Sequence, residues 1–259
     1  MCDRKPVIGR RGLITSNCHG ASNFMSANFT PTQARSRRLQ IWLALFIVIE
    51  AVLAFAPLAI LGPAIGWPAS LRNPASQQLA AIANAPIALS LGYGVYLLYS
   101  LAIAPLAIFV AWRVTDLRGP MAAMIVAFGA LSALARALGI LRWLTVMPAL
   151  ATAYASADGA SRAMIETTFV ALNSYGGGIG ELLGVALFGG LWLLLAMIAA
   201  ISSKRLPLWL AAFGIGSALL QLALFVPALG LASPLPVAVA VSVFVAWLLA
   251  LAGHTIFAR

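Results

Sequence analysis

The chain has 259 residues, 63% of them hydrophobic and 8% charged, with a mean hydropathy of +1.00. A soluble domain carries about 25% charged residues, so a chain this apolar cannot cover itself with polar surface in water and its solvent is mostly lipid. The formal charge of +10 would point to nucleic acid in a soluble protein, but here the basic residues flank apolar runs, where they set orientation in a membrane, and no nucleic-acid partner is expected.

Residues 1–38 are polar and basic, with Arg4, Lys5, Arg10, Arg11, Arg35, Arg37 and Arg38 and no hydrophobic period. They read as a disordered cytoplasmic tail. Cys2 and Cys18 both lie in it, without a Cys-x-x-Cys spacing or a histidine cluster, so neither a disulfide nor a zinc site is expected. Met25 offers a second plausible start, which would remove both cysteines and His19.

The first span is expected over 39–61. Its apolar run exceeds the about 7–15 residues of a signal-peptide core, and Glu50 sits near its centre, so it reads as a retained transmembrane helix. Pro63, Gly66, Pro68 and Pro74 mark a loop, and 77–85 a short interfacial helix. The second span, 86–112, carries Tyr93, Tyr96 and Tyr99 in its first half and Pro105 within it, where a kink is expected. The third, 120–141, contains Arg136, with Arg142 just beyond.

The connection to the fourth span is the longest. Within it, 157–173 is amphipathic: Ile165, Phe169 and Leu172 share a face, and Arg162 and Glu166 stand four apart as a helical ion pair. It is expected to form a separate short helix on the extracytoplasmic membrane surface or capping the bundle. The fourth span, 177–201, lies within Tyr175–Pro207, a stretch that the rest of the chain packs around. Gly176, Gly180 and Gly184 form a stripe four residues apart, the spacing that lets helix backbones approach closely. Glu181 lies beside that stripe. The fifth and sixth spans are expected over 207–229 and 236–257. The fold class is therefore all-α, a polytopic transmembrane bundle of about six spans with both termini cytoplasmic.

The remaining charges fit that count. Arg113, Arg118, Lys204, Arg205 and Arg259 join the tail on one side, against Arg72, Arg142 and Arg162 on the other, as the positive-inside rule requires. Trp42, Trp112 and Trp209 fall at inner boundaries and Trp67 and Trp143 near outer ones, while Trp192 and Trp247 lie deeper, as packing residues.

Glu50, Arg136, Glu181 and His254 are the ionisable residues within spans. An unpaired charge at the bilayer centre costs at least ~2.5–3.5 kcal/mol, so each needs a reason. At about 1.5 Å rise per residue, Arg136 and Glu181 reach similar depths on helices of opposite direction and could meet. One reading is an outward-open polar site of Glu50, Arg136 and Glu181, with the arginine as anion-binding group and a carboxylate carrying a proton or cation. The plainer reading is an Arg136–Glu181 pair that locks two helices. His254, near the inner end of the last span, reads as an interfacial histidine.

At the fourth and fifth spans, GELLGVALFGGLWLLLAMIAAISSKRLPLWLAAFGIGSALL resembles bacterial membrane proteins grouped as domain of unknown function 4386. The shared pattern is an apolar helix rich in Gly, Leu and Trp or Phe, a short polar turn, a basic or small residue, Leu or Phe, Pro, and a second apolar helix. The turn here is Ser202 to Pro207. Ala211-Ala212 stands where a Leu-Gly pair is usual. The resemblance implies a bacterial inner-membrane protein and transfers no catalytic residue.

No H-E-x-x-H, G-x-S-x-G or P-loop is present, and Gly178 to Gly184 lacks the spacing and preceding strand of a dinucleotide loop. No cofactor or metal site is expected. The expectation is a non-enzymatic membrane protein that binds a lipid, small ligand or membrane protein partner in an outward-facing cleft. The alternatives are a small-solute or ion transporter using Glu50, Arg136 and Glu181, and, with least support, a membrane-embedded enzyme.

Overall fold

The computed structural model describes residues 31–116 and 119–257, with side chains from residue 37 onward. The bulk of the basic tail, with Cys2, Cys18, His19 and Met25, lies outside the described residues. All regular structure among the described residues is helical.

Six antiparallel helical passes form the bundle. Helix α1 (Pro31–Ile65) is followed by a loop and the short α2 (Ala75–Asn84). Next come α3 (Pro86–Val114) and α4 (Pro120–Leu144), each with proline in its first turn, where the missing N–H costs nothing. A break at Thr145 leads into α5 (Val146–Ser156). Then α6 (Gly159–Gly177) runs without interruption through a π-helical segment (Gly178–Phe188) into α7 (Gly189–Ser203). The last passes are α8 (Leu208–Ala223) and α9 (Val237–Phe257). The start of α1, the junctions α3–α4 and α7–α8, and the end of α9 share one end of the bundle, called here the basic end; the opposite end is the distal end.

The structure revises three expectations about helix boundaries. The helical part of α1 starts at Pro31, so the last residues of the expected tail belong to the first helix. The amphipathic segment 157–173 is no separate surface helix: it is the leading part of a continuous 45-residue helix, Gly159–Ser203. At 1.5 Å per residue that helix is about 67 Å long, more than twice the ~30 Å hydrocarbon layer. The fifth pass contains an α-helix of only 16 residues, about 24 Å, because Pro227 ends the α-helical ladder and the chain tightens into a 3₁₀ turn at Val226–Leu229. Five helices are thus long and apolar enough to cross a membrane, and α8 is a shorter sixth.

Two main apolar clusters hold the bundle. One fills the basic half, with Ile47, Leu106, Val110, Trp192, Met197, Leu210 and Trp247 among its fully buried members. Trp192 and Trp247 are packing residues, and Trp247 donates its indole N–H to the Leu210 carbonyl at 3.2 Å. The second cluster lies at the distal end, where α2, α5 and α6 cover the ends of α1, α3 and α4 through Leu61, Leu79, Ile82, Met147 and Phe169. Ile165 and Leu172 pack against it beside Phe169. Trp143 belongs to this cluster rather than to a boundary belt: it is buried, stacked on Tyr93 at 4.9 Å and edge-on to Phe169 at 6.3 Å. Arg162 and Glu166 do not pair with each other; Arg162 lies over the Tyr154 ring and Glu166 accepts the Tyr154 hydroxyl at 2.7 Å, joining α5 to α6.

At the basic end, α7 closes with a left-handed Lys204 (φ 54°). The Arg205 amide returns to the Ala200 carbonyl and the Lys204 amide to that of Ile201, both at 3.2 Å, a Schellman closure. Arg205 then reaches α3, donating to the Thr115 carbonyl and pairing with Asp116, while Ser203 donates to the Val114 carbonyl at 2.9 Å.

Candidate functional site

The two main clusters are separated by a layer of buried polar side chains. Along α1, Glu50 follows Ile47 and precedes Leu61; along α4, Arg136 falls between Ala133 and Ile140; along α3, Tyr99 and Ser100 fall between Tyr93 and Ile103. Helix α8 adds Ser217 and Gln221, and α4 adds Ser132, all fully or nearly fully buried.

Arg136 is the centre of this layer, and the glycines of the π segment make room for it. A β-carbon at Gly184 would stand 2.8 Å from Arg136 Cγ, and one at Gly189 would stand 3.0 Å from Arg136 Nη2 and 2.8 Å from Gln221 Oε1. The Gly184 carbonyl accepts the Ser132 hydroxyl at 2.6 Å, Arg136 Nε at 3.4 Å and the Gly189 amide. Arg136 Nη1 donates to the Tyr99 hydroxyl at 3.4 Å, with the guanidinium carbon 6.0 Å from that ring's centre. Glu50 is 1% exposed, and neither carboxylate oxygen has a hydrogen-bond partner.

Above this layer a cavity of about 70 Å³ opens toward the distal end between α3, α4 and the π segment. Arg136 and Ser100 line its floor and Tyr93, Tyr96, Trp67 and Trp143 its walls. Trp67, Tyr96 and Tyr99 form a ladder of ring contacts, each at 5.9 Å, from the rim down to Arg136. Arg142 and Glu181 stand at the mouth. Arg142 is held firmly: Nε donates to Asn173 Oδ1 at 3.1 Å, Nη1 donates to the Gly139 carbonyl, and the guanidinium carbon lies 5.4 Å from the Trp143 ring centre.

The expected residues therefore divide. Glu50 and Arg136 both lie in the buried layer, with no ion pair between them. Glu181 is exposed, and among the described residues it forms no ion pair; it lines the cleft beside Arg142 instead of meeting Arg136. Gly176, Gly180 and Gly184 all turn toward α4, opposite Arg142, Gly139 and Arg136 respectively. His254 lies near the basic end, away from the site.

Sequence reasoning passed over Ser132, Gln221 and the anchoring role of Arg142. A polar side chain in mid-span was the available signal for the first two. It also missed the π segment, where five glycines among the nine residues from Gly176 to Gly184 lower the cost of leaving the α-helical ladder. Among the described residues no three His, Cys, Asp or Glu side chains converge as a metal site would need.

A multi-helix membrane bundle with a charged layer at its middle and a cleft above it defines the class of protein. The chain belongs to the family described as Domain of unknown function (DUF4386), whose model matches residues 43–252, from the first pass to the last. No curated protein and no solved structure matches it.

Proposed function

We propose that the protein is a non-enzymatic binding protein of the bacterial inner membrane. It receives a lipid or small amphiphilic ligand in the distal cleft, which opens away from the cytoplasm. The observation that carries this reading is the cleft itself: aromatic walls for an apolar body, with Arg136 at the floor and Arg142 at the mouth for a polar head. The orientation rests on the gathering of Arg37, Arg38, Arg113, Lys204 and Arg205 at the basic end.

The test is native mass spectrometry of protein extracted from its own membranes. A co-purifying molecule is expected on the unaltered chain and lost from Arg142→Ala and Tyr96→Ala. A bare protein, with no thermal shift across a membrane lipid extract, counts against the reading. A periplasmic reporter fused after Lys204 should be inactive, and activity there would reverse the orientation.

A second reading, passage of a small solute across the membrane, is favoured by the unpartnered Glu50, Ser100 and Gln221 side chains at mid-bundle beneath the cleft. It requires flux in proteoliposomes that Arg136→Ala abolishes while the protein still folds.

A further inference from the structure

We propose that the distal cleft recognises a zwitterion, an oxyanion joined to an amine several bonds away, with the oxyanion received by Arg136, Ser100 and Tyr93 and the amine by Glu181. The proposal rests on the binding role given above and names the ligand chemistry of that site.

The inner part of the cleft is lined by buried donors left unspent. Ser100 and Tyr93 line the cavity, are each 1% exposed, and their hydroxyls have no hydrogen-bond partner. The Trp67 indole beside Tyr93 can only donate, so the Tyr93 O–H stays free to bond a ligand. Arg136 lines the same cavity at 4% exposure. A guanidinium carries five N–H donors. Among the described residues those of Arg136 make two hydrogen bonds to protein, both at 3.4 Å, the long limit, and no carboxylate lies within ion-pair distance. Buried polar groups are seldom left unpaired, so three of them on one cavity of about 70 Å³ call for an acceptor-rich occupant. Water would satisfy the hydroxyls but leave the guanidinium without a counter-charge, whereas an oxyanion meets all three.

The mouth sets the other end of the ligand. Glu181 lines the cavity and both open grooves that adjoin it, one beside Arg142 and one beside Leu182 and Leu235, and it is the acidic residue of all three. It is exposed and makes no ion pair among the described residues. Arg142 shares the mouth, but its guanidinium is engaged by Asn173, Gly139 and the Trp143 ring. One cation and one carboxylate leave the mouth without net sign, so it favours neither a bare anion nor a bare cation. A zwitterion meets both, and the rings of Trp67 and Tyr96 suit its ammonium end. Arg136 Nε lies 3.4 Å from the Gly184 carbonyl and its Nη2 faces Gly189, three to eight residues past Glu181. At about 1.5 Å per residue, the carboxylate stands on the order of 5–12 Å above the guanidinium. That spacing suits an amine and an oxyanion several bonds apart, as in a phosphoethanolamine head group or an ω-amino acid.

The test uses the full chain in dodecyl maltoside micelles, which carry no charge, titrated calorimetrically with 6-aminohexanoate, hexanoate and hexylamine. 6-Aminohexanoate should bind about tenfold more tightly than either singly charged analogue, the increment of one charge-assisted contact. Glu181→Gln should erase that preference, and the exposed position of Glu181 lets the variant fold. Native mass spectrometry of the chain reconstituted with equal phosphatidylethanolamine and phosphatidylglycerol separates the two sources of zwitterion. Phosphatidylethanolamine retained in preference, with the preference lost in Glu181→Gln, assigns the site to a lipid head group. Equal retention of the two lipids beside tight binding of 6-aminohexanoate assigns it to a free zwitterion. A preference that survives in Glu181→Gln overturns the role of Glu181. If 6-aminohexanoate binds no better than hexanoate and phosphatidylethanolamine is not preferred, the zwitterion assignment is overturned; a different molecule co-purifying from the native membranes would then keep the broader binding role standing.

Discussion

Gly139 on α4 and Gly180 on the π segment lie backbone to backbone: a β-carbon built on Gly139 would come 2.7 Å from the Gly180 Cα and 2.9 Å from the Gly176 carbonyl oxygen. The obstacle is main chain, which cannot swing aside as a side-chain tip could. Gly139→Ala should therefore force the two helices apart and cost about 1–3 kcal/mol. Gly180→Ala, whose β-carbon would sit 3.3 Å from the Gly139 Cα, should cost less. Gly178→Ala meets nothing within 4 Å and should be neutral or stabilising by up to about 1 kcal/mol. Thermal unfolding in detergent would rank the three; a tie between Gly139→Ala and Gly178→Ala would contradict the close approach.

Arg136 and Glu50 should be energetically coupled. Arg136→Ala removes the cation of the layer that holds the buried, unpartnered Glu50 carboxyl, so it should be more destabilising than the double variant Arg136→Ala/Glu50→Gln. The interaction energy should fall within about 0.5–3 kcal/mol. A double-mutant cycle read by unfolding measures this, and strict additivity would show that the two residues do not sense each other. Arg136→Ala combined with Glu181→Gln should be close to additive, since Glu181 stands at the cleft mouth beside Arg142.

Asp158 caps α6, accepting the Ser161 amide at 2.8 Å. That hydrogen bond favours the carboxylate and holds its pKa below the ordinary aspartate value. A lowered folded-state pKa means that the cap contributes fully above the ordinary aspartate range and is lost as pH falls through the folded value. Amide exchange at Ser161 should accelerate on acidification beyond its intrinsic pH dependence. Asp158→Asn should remove this extra acid sensitivity while keeping a capped helix, because asparagine is an equally good N-cap.

Lys204 holds a left-handed conformation that glycine adopts without penalty. Lys204→Gly should be neutral or raise stability by up to about 1 kcal/mol, and Lys204→Val should lower it by at least about 1 kcal/mol. Melting of the two variants tests the turn directly; equal effects would mean that the turn relaxes into another conformation.

The passes were legible because membrane solvation leaves a one-dimensional mark, a long apolar run, and charge at the ends marks direction. The depth of Arg136 was legible for the same reason, since rise per residue converts sequence into height. Azimuth was not. Depth alone puts Glu181 near Arg136, but rotation about the helix axis turns Gly184 toward Arg136 and Glu181 toward the mouth. The π segment makes that rotation harder to read, because an α-helical wheel assigns it the wrong angles. The union of 157–173 with the fourth span was hidden by Gly176 to Gly178, which can be written into a loop as readily as into a helix. The Arg162–Glu166 spacing was correct, yet Tyr154, from α5, offered both side chains a better partner.

The polar layer also divides the molecule by solvent. Below it, packing side chains are surrounded by lipid, where water gains nothing from their burial and van der Waals fit must hold the helices together. Above it, α2, α5 and α6 expose Gln77, Asn84, Thr152, Arg162 and Thr167, so their shared core is closed by the hydrophobic effect in water. The distal cap is therefore the part of the chain that urea and cold can reach, and it can loosen while the bundle beneath it stays assembled.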